Sequence, residues 1–213
     1  KLRGGYYTPK ALADFIVNWA LPKKNEGINC IEILEPCCGD GVFLESVIEQ
    51  SNDIPFKCTA IELFEREAKI AKERTFYNPD INIIVGDFYE QYKSNLKNKK
   101  FDVIIGNPPY IRYQYLTNEQ RETQANILVE NGMKSNKLIN AWVSFVVASV
   151  RMLNMNGKIG LVIPAELLQV AYAEDLRLYL LKNLSKLTIV TFEELIFPDV
   201  QQEVVLLRSE EHT

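Results

Sequence analysis

Residues 101–110 read FDVIIGNPPY, an apolar run that is followed by two consecutive prolines. The β-branched first part of this stretch is typical of a buried strand. Pro108 and Pro109 cannot donate ladder hydrogen bonds, so the strand has to end at this point. Ligands bind at the carboxyl ends of strands in open α/β sheets, and the stretch therefore indicates a ligand site beside Asn107 and Tyr110.

The tetrapeptide that closes this stretch offers two hydrogen-bond acceptors and an aromatic ring. The carboxamide oxygen of Asn107 and the backbone carbonyl of Pro108 can together accept both hydrogens of an exocyclic amine. Pro108 also biases Asn107 towards extended backbone, and Tyr110 adds a surface on which a ring can stack. Taken without its context, the same tetrapeptide also fits a proline-rich turn with an exposed tyrosine.

A strand, a glycine loop and a helix come earlier in the chain. Residues 30–35 favour a strand, residues 36–41 read PCCGDG, and an amphipathic helical pattern follows them. Gly39 and Gly41 allow backbone to approach a nucleotide-like ligand closely. The dinucleotide fingerprint is incomplete, because Leu44 stands where its third glycine or alanine is needed.

Acidic residues lie at or just beyond the ends of three successive predicted strands. Glu35 and Asp40 flank the glycine loop, where they would repel a pyrophosphate but suit a cationic, amino-acid-bearing ligand. This favours S-adenosylmethionine over NAD. Glu62 lies at the spacing at which an acid accepts ribose hydroxyls. Asp87 and Phe88 follow the third strand and are suited to hold and cover an adenine.

The remaining pattern alternates helix and strand. Residues 112–136 are polar and long for a connection, so we interpret them as a functional lid or a disordered loop, with a helix within 119–130. The later predicted elements are a helix over 141–153, a strand over 158–164, a largely helical stretch over 165–184, and strands over 186–192 and 203–207. The alternation predicts one doubly wound sheet.

The N-terminal stretch reads GGYYTP over residues 4–9 and precedes an amphipathic helical pattern. Thr8 is predicted to be the N-cap of that helix, and Pro9 its first residue. The aromatic pair can also shape a lip over a ligand.

The composition predicts a single domain. A chain of 213 residues with 47% hydrophobic residues can form one sizeable α/β domain and is short for two. No apolar stretch is long enough to span a membrane, and no secretory signal opens the chain. Cys30, Cys37, Cys38 and Cys58 lack metal-ligand spacing, so we expect no metal site and a cytoplasmic location.

Taken together, these motifs resemble those of the adenine-specific DNA methyltransferases of restriction–modification systems in which the cofactor motifs precede the catalytic one. The matching motifs are Tyr6–Pro9, the glycine loop, Glu62, Asp87–Phe88, Asn107–Tyr110 and Phe197–Pro198. The resemblance covers nearly the whole chain. It implies a Rossmann-like methyltransferase fold, with a mostly parallel seven-stranded sheet and helices on both faces.

The resemblance also implies a set of site residues. Asn107, Pro108, Pro109 and Tyr110 would be catalytic, and Tyr110 and Phe197 would stack on the substrate base. The residues that would bind S-adenosylmethionine are Tyr7, Thr8, Pro9, Glu35, Cys37, Gly39, Gly41, Glu62, Leu63, Asp87, Phe88 and Asn107. Cys37 and Cys38 depart from the small residues usual in the family's glycine loop.

The implied partner is double-stranded DNA, with no membrane association. Residues 1–213 would be the catalytic domain of a longer protein, with target-recognition and endonuclease domains elsewhere, fused or separate. The formal net charge of −4 is unusual for a domain that binds DNA without help from other domains. Neutralisation of the phosphates by basic side chains dominates the affinity of proteins for DNA. We therefore expect the isolated chain to bind duplex DNA weakly.

Other functions are compatible with the same residues. A methyltransferase that acts on a protein glutamine or on an RNA base is one, since the tetrapeptide serves those amines equally well. A non-catalytic module that binds S-adenosylmethionine or DNA is another. A nicotinamide oxidoreductase is disfavoured by the incomplete glycine fingerprint.

Overall fold

The computed structural model describes residues 7–22, 30–51, 54–192, 196 and 203–211. Tyr6, Phe197 and Pro198, which the resemblance assigns to the cofactor and base sites, lie outside the described residues.

Helices and strands alternate along the described chain. The helices are α1 (Lys10–Ala20), α2 (Val42–Gln50), α3 (Glu65–Arg74), α4 (Phe88–Gln91), α5 (Asn118–Glu130), α6 (Ala141–Met152), α7 (Glu166–Gln169) and α8 (Glu174–Asn183). The strands are β1 (Ile31–Glu35), β2 (Phe56–Glu62), β3 (Ile81–Val85), β4 (Phe101–Gly106), β5 (Leu153–Pro164), β6 (Leu184–Thr191) and β7 (Val204–Glu211). A π-helical turn spans Tyr92–Leu96, and 3₁₀ turns span Tyr113–Tyr115 and Ala171–Ala173.

The strands form one sheet in the order β3-β2-β1-β4-β5-β7-β6. Strand β7 runs antiparallel to β5 and β6, and the other pairings are parallel. The predicted mostly parallel seven-stranded sheet is therefore confirmed. The strand order reverses between β1 and β4, and such a reversal opens a crevice at the carboxyl ends of the strands.

Hydrophobic cores cover both faces of the sheet. Successive residues of β1 alternate between them, since Ile33 belongs to one core and Leu34 to the other. Helices α1, α2 and α3 supply the first core, with residues such as Ile16 and Phe43. Helices α4, α5, α6 and α8 supply the second, which includes the fully buried Trp142. The prediction of helices on both faces is confirmed.

The predicted N-cap of α1 is wrong by one residue. Pro9 occupies the N-cap position, with φ −58° and ψ 138°. Its carbonyl oxygen accepts the N–H groups of Leu12 at 3.0 Å and Ala13 at 3.1 Å. The hydroxyl of Thr8 is therefore not used to cap the helix and instead accepts from the side chain of Asn107 in the loop after β4.

The segment 112–136 is structured, so the disordered-loop interpretation is wrong. Thr117 and Gln120 form a capping box at the start of α5. Gln124, Ile127 and Leu128 are buried on the inner face of this helix. The capping box and the buried face together hold α5 against the second core.

Two of the later elements differ from the sequence pattern. Strand β5 begins at Leu153, because this residue pairs with Phe101 before a register shift in the ladder. The helical stretch predicted over 165–184 is divided into α7, a 3₁₀ turn and α8.

None of the helices in the described part of the chain is long and apolar enough to cross a membrane. Among the same residues, no group of His, Cys, Asp and Glu side chains could hold a metal ion.

Gly41 is required by packing as well as by backbone conformation. Its φ is +85°, and a Cβ at this position would lie 2.9 Å from both the Cα and the Cβ of Ala71 on α3. Gly39 also has a positive φ, +53°, but no atom lies within 4 Å of the position of its Cβ. Of the two glycines, only Gly41 permits close packing between helices.

We expect Gly41→Ala to lower the free energy of unfolding by about 2–4 kcal/mol, because backbone strain and overpacking against Ala71 add. Gly39→Ala is the matched control and should cost only the strain, about 1–2 kcal/mol. Urea titrations of both variants provide the measurement. Equal losses would show that the contact with Ala71 does not limit this position.

Candidate active site

A cavity of about 270 Å³ opens at the carboxyl ends of β1, β2, β3 and β4. The predicted site residues that line it are Tyr7, Thr8, Glu35, Cys37, Gly39, Glu62, Leu63, Asp87, Phe88, Asn107 and Pro109. Pro9, Gly41, Pro108 and Tyr110 do not line it. Residues that are separated by up to a hundred positions in the sequence therefore surround one space.

The carboxamide of Asn107 is held from two sides. Its Nδ2 donates to the hydroxyl of Thr8 at 3.2 Å, and its Oδ1 accepts from the hydroxyl of Tyr110 at 2.8 Å. The thiol of Cys37 donates to the backbone carbonyl of Asn107 at 3.2 Å. These bonds orient the amide and tie the loop after β4 to both the N-terminal segment and the glycine loop.

Tyr110 is oriented by its hydroxyl. This group also lies 3.2 Å from the carbonyl oxygen of Val162 on β5, and the half-buried ring packs against both cores. The phenol therefore holds the amide of Asn107 through its hydroxyl, and Tyr110 is not itself among the residues that line the cavity. Stacking of this ring on a base, which the sequence predicts, stays a prediction.

Glu35 is a buried carboxyl group at the end of β1. Its side chain is 1% exposed, and neither carboxylate oxygen has a hydrogen-bond partner among the described residues. Burial raises the pKa of Glu35 well above its ordinary value of 4.5, and the charges of Asp40 and Glu62 raise it further. A buried polar group without a partner is costly, so this position favours a ligand that supplies a positive charge or a donor.

Glu62, at the end of β2, is engaged with the loops on either side of it. One oxygen accepts the N–H of Gly39 at 2.9 Å, and the other accepts the N–H of Phe64 at 2.8 Å. Burial raises the pKa of Glu62, while these two backbone donors oppose that rise. The carboxylate is thereby fixed between the glycine loop after β1 and the loop after β2.

Asp87 follows β3 and serves as the N-cap of α4. Its Oδ1 accepts the N–H of Glu90 at 3.1 Å, and its Oδ2 accepts from Nε2 of Gln120 at 2.7 Å. Phe88 lies next to it, and its ring stacks on that of Phe145, with the ring centroids 4.3 Å apart. An acid and an apolar surface therefore adjoin at this end of the cavity.

The sequence analysis missed several residues of the cavity wall. Leu116, Gln120, Ala141 and Phe145 line it. Of these, Gln120 donates to Asp87 and Phe145 stacks on Phe88. Phe145 sits in a helix whose residues are nearly all apolar, which the sequence pattern cannot distinguish from ordinary core. Gln120 lies in a polar segment, and its only signal is the Thr117-x-x-Gln120 capping pattern.

Further acidic side chains lie at the rim. The hydroxyl of Tyr7 donates to Glu67 at 2.9 Å, which brings the N-terminal segment over α3. Asp40 is paired with Arg74 at 2.8 Å. The cavity is lined by Glu35, Asp40, Glu62, Glu67 and Asp87, and Arg74 is not part of its wall. This lining suits a ligand with cationic and hydroxyl groups and opposes a pyrophosphate.

Comparison with known protein families shows to which family the chain belongs. Residues 42–197 match the model of the Eco57I restriction-modification methylase family. The chain belongs to this family. The predicted resemblance to the methyltransferases of restriction–modification systems is therefore confirmed.

Individual relatives agree with this. The chain is 30% identical over 199 residues to the type II methyltransferase M.AccI of Acinetobacter calcoaceticus, a match that covers 91% of the chain and 34% of the relative. It is 26% identical over 207 residues to the type II methyltransferase M.HincII of Haemophilus influenzae, covering 96% of the chain and 36% of the relative. The chain thus spans about a third of the length of these relatives.

A solved structure of a methyltransferase has the same fold. A putative class I S-adenosylmethionine-dependent methyltransferase from Listeria monocytogenes superposes with a TM-score of 0.77 and 18% sequence identity, covering 99% of this chain and 62% of the other. The chain therefore has the fold of the class I S-adenosylmethionine-dependent methyltransferases, as the sequence predicts.

The buried carboxyl group of Glu35 should make the stability of the ligand-free chain depend on pH. Because its pKa is higher in the folded than in the unfolded chain, folding takes up protons above pH 4.5, and the free energy of unfolding falls as pH rises. One such group contributes a slope of at most about 1.4 kcal/mol per pH unit. We expect Glu35→Gln to remove this part of the slope in urea titrations between about pH 5 and 8.

Glu32→Gln is the matched control, since Glu32 lies on the same strand but is exposed. It should leave the pH profile close to that of the parent chain. An unchanged slope in Glu35→Gln would mean that this carboxyl group is not buried without a partner in solution.

Proposed function

We propose that this chain is the catalytic domain of a restriction–modification enzyme and transfers a methyl group from S-adenosylmethionine to the N6 amine of adenine in double-stranded DNA. The observation that carries the proposal is the carboxamide of Asn107, held at the end of β4 beside an acidic cavity. Membership of the Eco57I restriction-modification methylase family supports the same activity.

The residues of the cavity fit S-adenosylmethionine. The partnerless carboxyl group of Glu35 suits the ammonium or sulfonium charge of this cofactor. Glu62 offers carboxylate oxygens suited to ribose hydroxyls, and Asp87 with Phe88 offers an acceptor and an apolar face suited to adenine. When bound, the cofactor supplies an electrophilic methyl group, which the substrate nitrogen takes up with release of one proton.

Asn107 orients the substrate amine. A carboxamide oxygen has two acceptor positions, and the hydroxyl of Tyr110 uses one of them. With the carbonyl oxygen of Pro108 as a second acceptor, both hydrogens of the amine are directed, and its lone pair is turned towards the methyl donor. No strong base is needed for this role, so most of the acceleration comes from positioning.

Buried apolar side chains in the cavity wall would help to exclude water from the methyl donor. Phe88 and Leu116 are each 4% exposed, and Phe145 is 5% exposed. Phe88 follows Asp87 directly and stacks on Phe145, so apolar and charged surfaces meet at this part of the cavity. A dry wall strengthens the polar contacts made within the cavity.

A base inside a duplex cannot reach this site. The target adenine has to be extruded, which costs a few kcal/mol of unstacking. Phosphate contacts from Lys and Arg have to offset that cost. Because the chain has a net charge of −4 and spans about a third of the relatives' length, we assign much of the DNA contact and the recognition of sequence to other parts of the protein. Tyr110 and Phe197 are the proposed stacking residues for the extruded base.

The alternatives are less well supported. A protein glutamine or an RNA base offers a similar amine, but the family of this chain is one of restriction–modification methylases. A non-catalytic binding module does not need an oriented amide beside the cavity.

We expect Asn107→Ala, made in the full-length protein, to reduce kcat by at least about a hundredfold. Loss of the group that positions the substrate amine can slow a reaction by about this factor. Affinity for S-adenosylhomocysteine should change little. Tyr110→Phe keeps the ring and removes the hydroxyl that holds Asn107, so its loss should be smaller. Methylation of adenine-containing duplexes, read as N6-methyladenine by mass spectrometry, is the measurement.

Near-normal turnover in Asn107→Ala would contradict the proposed amine chemistry. Formation of methylcytosine in place of N6-methyladenine by the parent enzyme would contradict the adenine assignment while leaving methyl transfer in place.

We expect Glu62→Ala to weaken binding of S-adenosylmethionine by about 1.5–3 kcal/mol, the size of a hydrogen bond to a charged group. Glu65→Ala is the control, since this carboxylate is exposed at the start of α3 nearby. Calorimetry measures both affinities. Equal affinity of the Glu62 variant and the parent would remove Glu62 from the site.

A further inference from the structure

Gln120 is a polar residue of the cavity wall that contacts Asp87 and that the proposed function does not use. We propose that Gln120 reads the purine of the cofactor together with Asp87 and makes the site selective for adenine over a 6-oxopurine. This inference rests on the proposed function, because it takes the Asp87 end of the cavity as the place of the adenine.

Asp87 and Gln120 present an acceptor and a donor side by side. Nε2 of Gln120 donates one hydrogen to Oδ2 of Asp87 over 2.7 Å, and both residues line the cavity. An amide nitrogen carries two hydrogens, and a carboxylate oxygen accepts more than one hydrogen bond. The bond between them therefore leaves one donor position on Gln120 and acceptor capacity on Asp87 for a ligand.

The capping box fixes which end of the Gln120 amide faces Asp87. The side-chain oxygen of Gln120 accepts the N–H of Thr117 at 2.9 Å, and the N–H of Gln120 donates to the hydroxyl of Thr117 at 3.2 Å. Rotating the amide would break the first bond and turn an oxygen towards the carboxylate of Asp87. The side-chain nitrogen of Gln120 is therefore the end of the amide that faces Asp87.

The helix that carries Gln120 is itself anchored. Gln124, one turn further along α5, is completely buried and donates to the carbonyl oxygen of Ile139 at 3.0 Å. The hydroxyl of Tyr89 on α4 lies 3.3 Å from the side-chain oxygen of Gln124. Because Asp87 is the N-cap of α4, this contact helps to fix the positions of Asp87 and Gln120 relative to one another.

The pair is complementary to one edge of adenine. The N6 amine of adenine donates and its ring N1 accepts, so the amine can pair with Asp87 while N1 accepts from Gln120. In a 6-oxopurine these two properties are exchanged. Its carbonyl oxygen would face the carboxylate, and its N1–H would face the N–H of Gln120. The bond between Asp87 and Gln120 is partly buried, so mismatched polar groups at this position would weaken binding of the 6-oxopurine.

The test compares three ligands by calorimetry on this chain. They are S-adenosylhomocysteine, its 1-deaza analogue, in which N1 is replaced by C–H, and S-inosylhomocysteine, which carries the 6-oxo group. The parent chain should bind the 1-deaza analogue about five- to tenfold more weakly than S-adenosylhomocysteine, which is the loss of one hydrogen bond. It should bind S-inosylhomocysteine at least about tenfold more weakly.

Gln120→Leu should bind S-adenosylhomocysteine about five- to tenfold more weakly than the parent, with no further loss for the 1-deaza analogue. Its preference for adenine over the 6-oxo ligand should narrow by about fivefold. Thr117→Ala is the matched control. It removes the other half of the capping box but keeps the Gln120 amide, so its ligand preferences should match those of the parent.

If Gln120→Leu distinguishes the 1-deaza analogue as well as the parent does, the donor to N1 is another group and the inference is overturned. The same holds if the parent binds S-adenosylhomocysteine and its 1-deaza analogue equally. If the parent binds none of the three ligands, the proposal that this cavity binds S-adenosylmethionine is contradicted as well.

Discussion

The end of β4 at a double proline, next to β1, is the constraint on which the rest of the site depends. Because Pro108 and Pro109 cannot extend the ladder, the chain leaves the sheet at the point where the strand order reverses. Asn107 is thereby placed at the crevice between the two halves of the sheet. The carboxylates of Glu35 and Glu62 reach the same edge, because β1 and β2 run parallel to β4.

The cavity combines features that stabilise the fold with one that does not. Glu62 and Asp87 accept backbone N–H groups and so help to shape the loops that carry them. Glu35 has no such partner and is buried beside other acids, which destabilises the ligand-free chain. A cationic ligand would relieve this cost on binding. Part of the affinity for such a ligand can then come from relief of the unfavourable burial of Glu35.

The amide of Asn107 receives its hydrogen-bond partners from segments that are distant in the sequence. Nδ2 of the amide donates to Thr8, and its Oδ1 accepts from Tyr110. Because Pro9 rather than Thr8 caps α1, the hydroxyl of Thr8 remains available for this contact. The amide of Gln120 likewise makes two contacts: its oxygen takes part in the capping box of α5, and its nitrogen donates to Asp87.

The sequence by itself determined the strands, the residues that end them and the chemistry of the tetrapeptide, because proline, glycine and β-branched residues act on their own stretch of backbone. Only the tertiary structure decided the partners of the polar side chains. Asn107 and Thr8 are 99 positions apart, and Gln120 and Asp87 are 33 apart. No local pattern encodes such pairs, since the order of the strands and the packing of α5 bring them together.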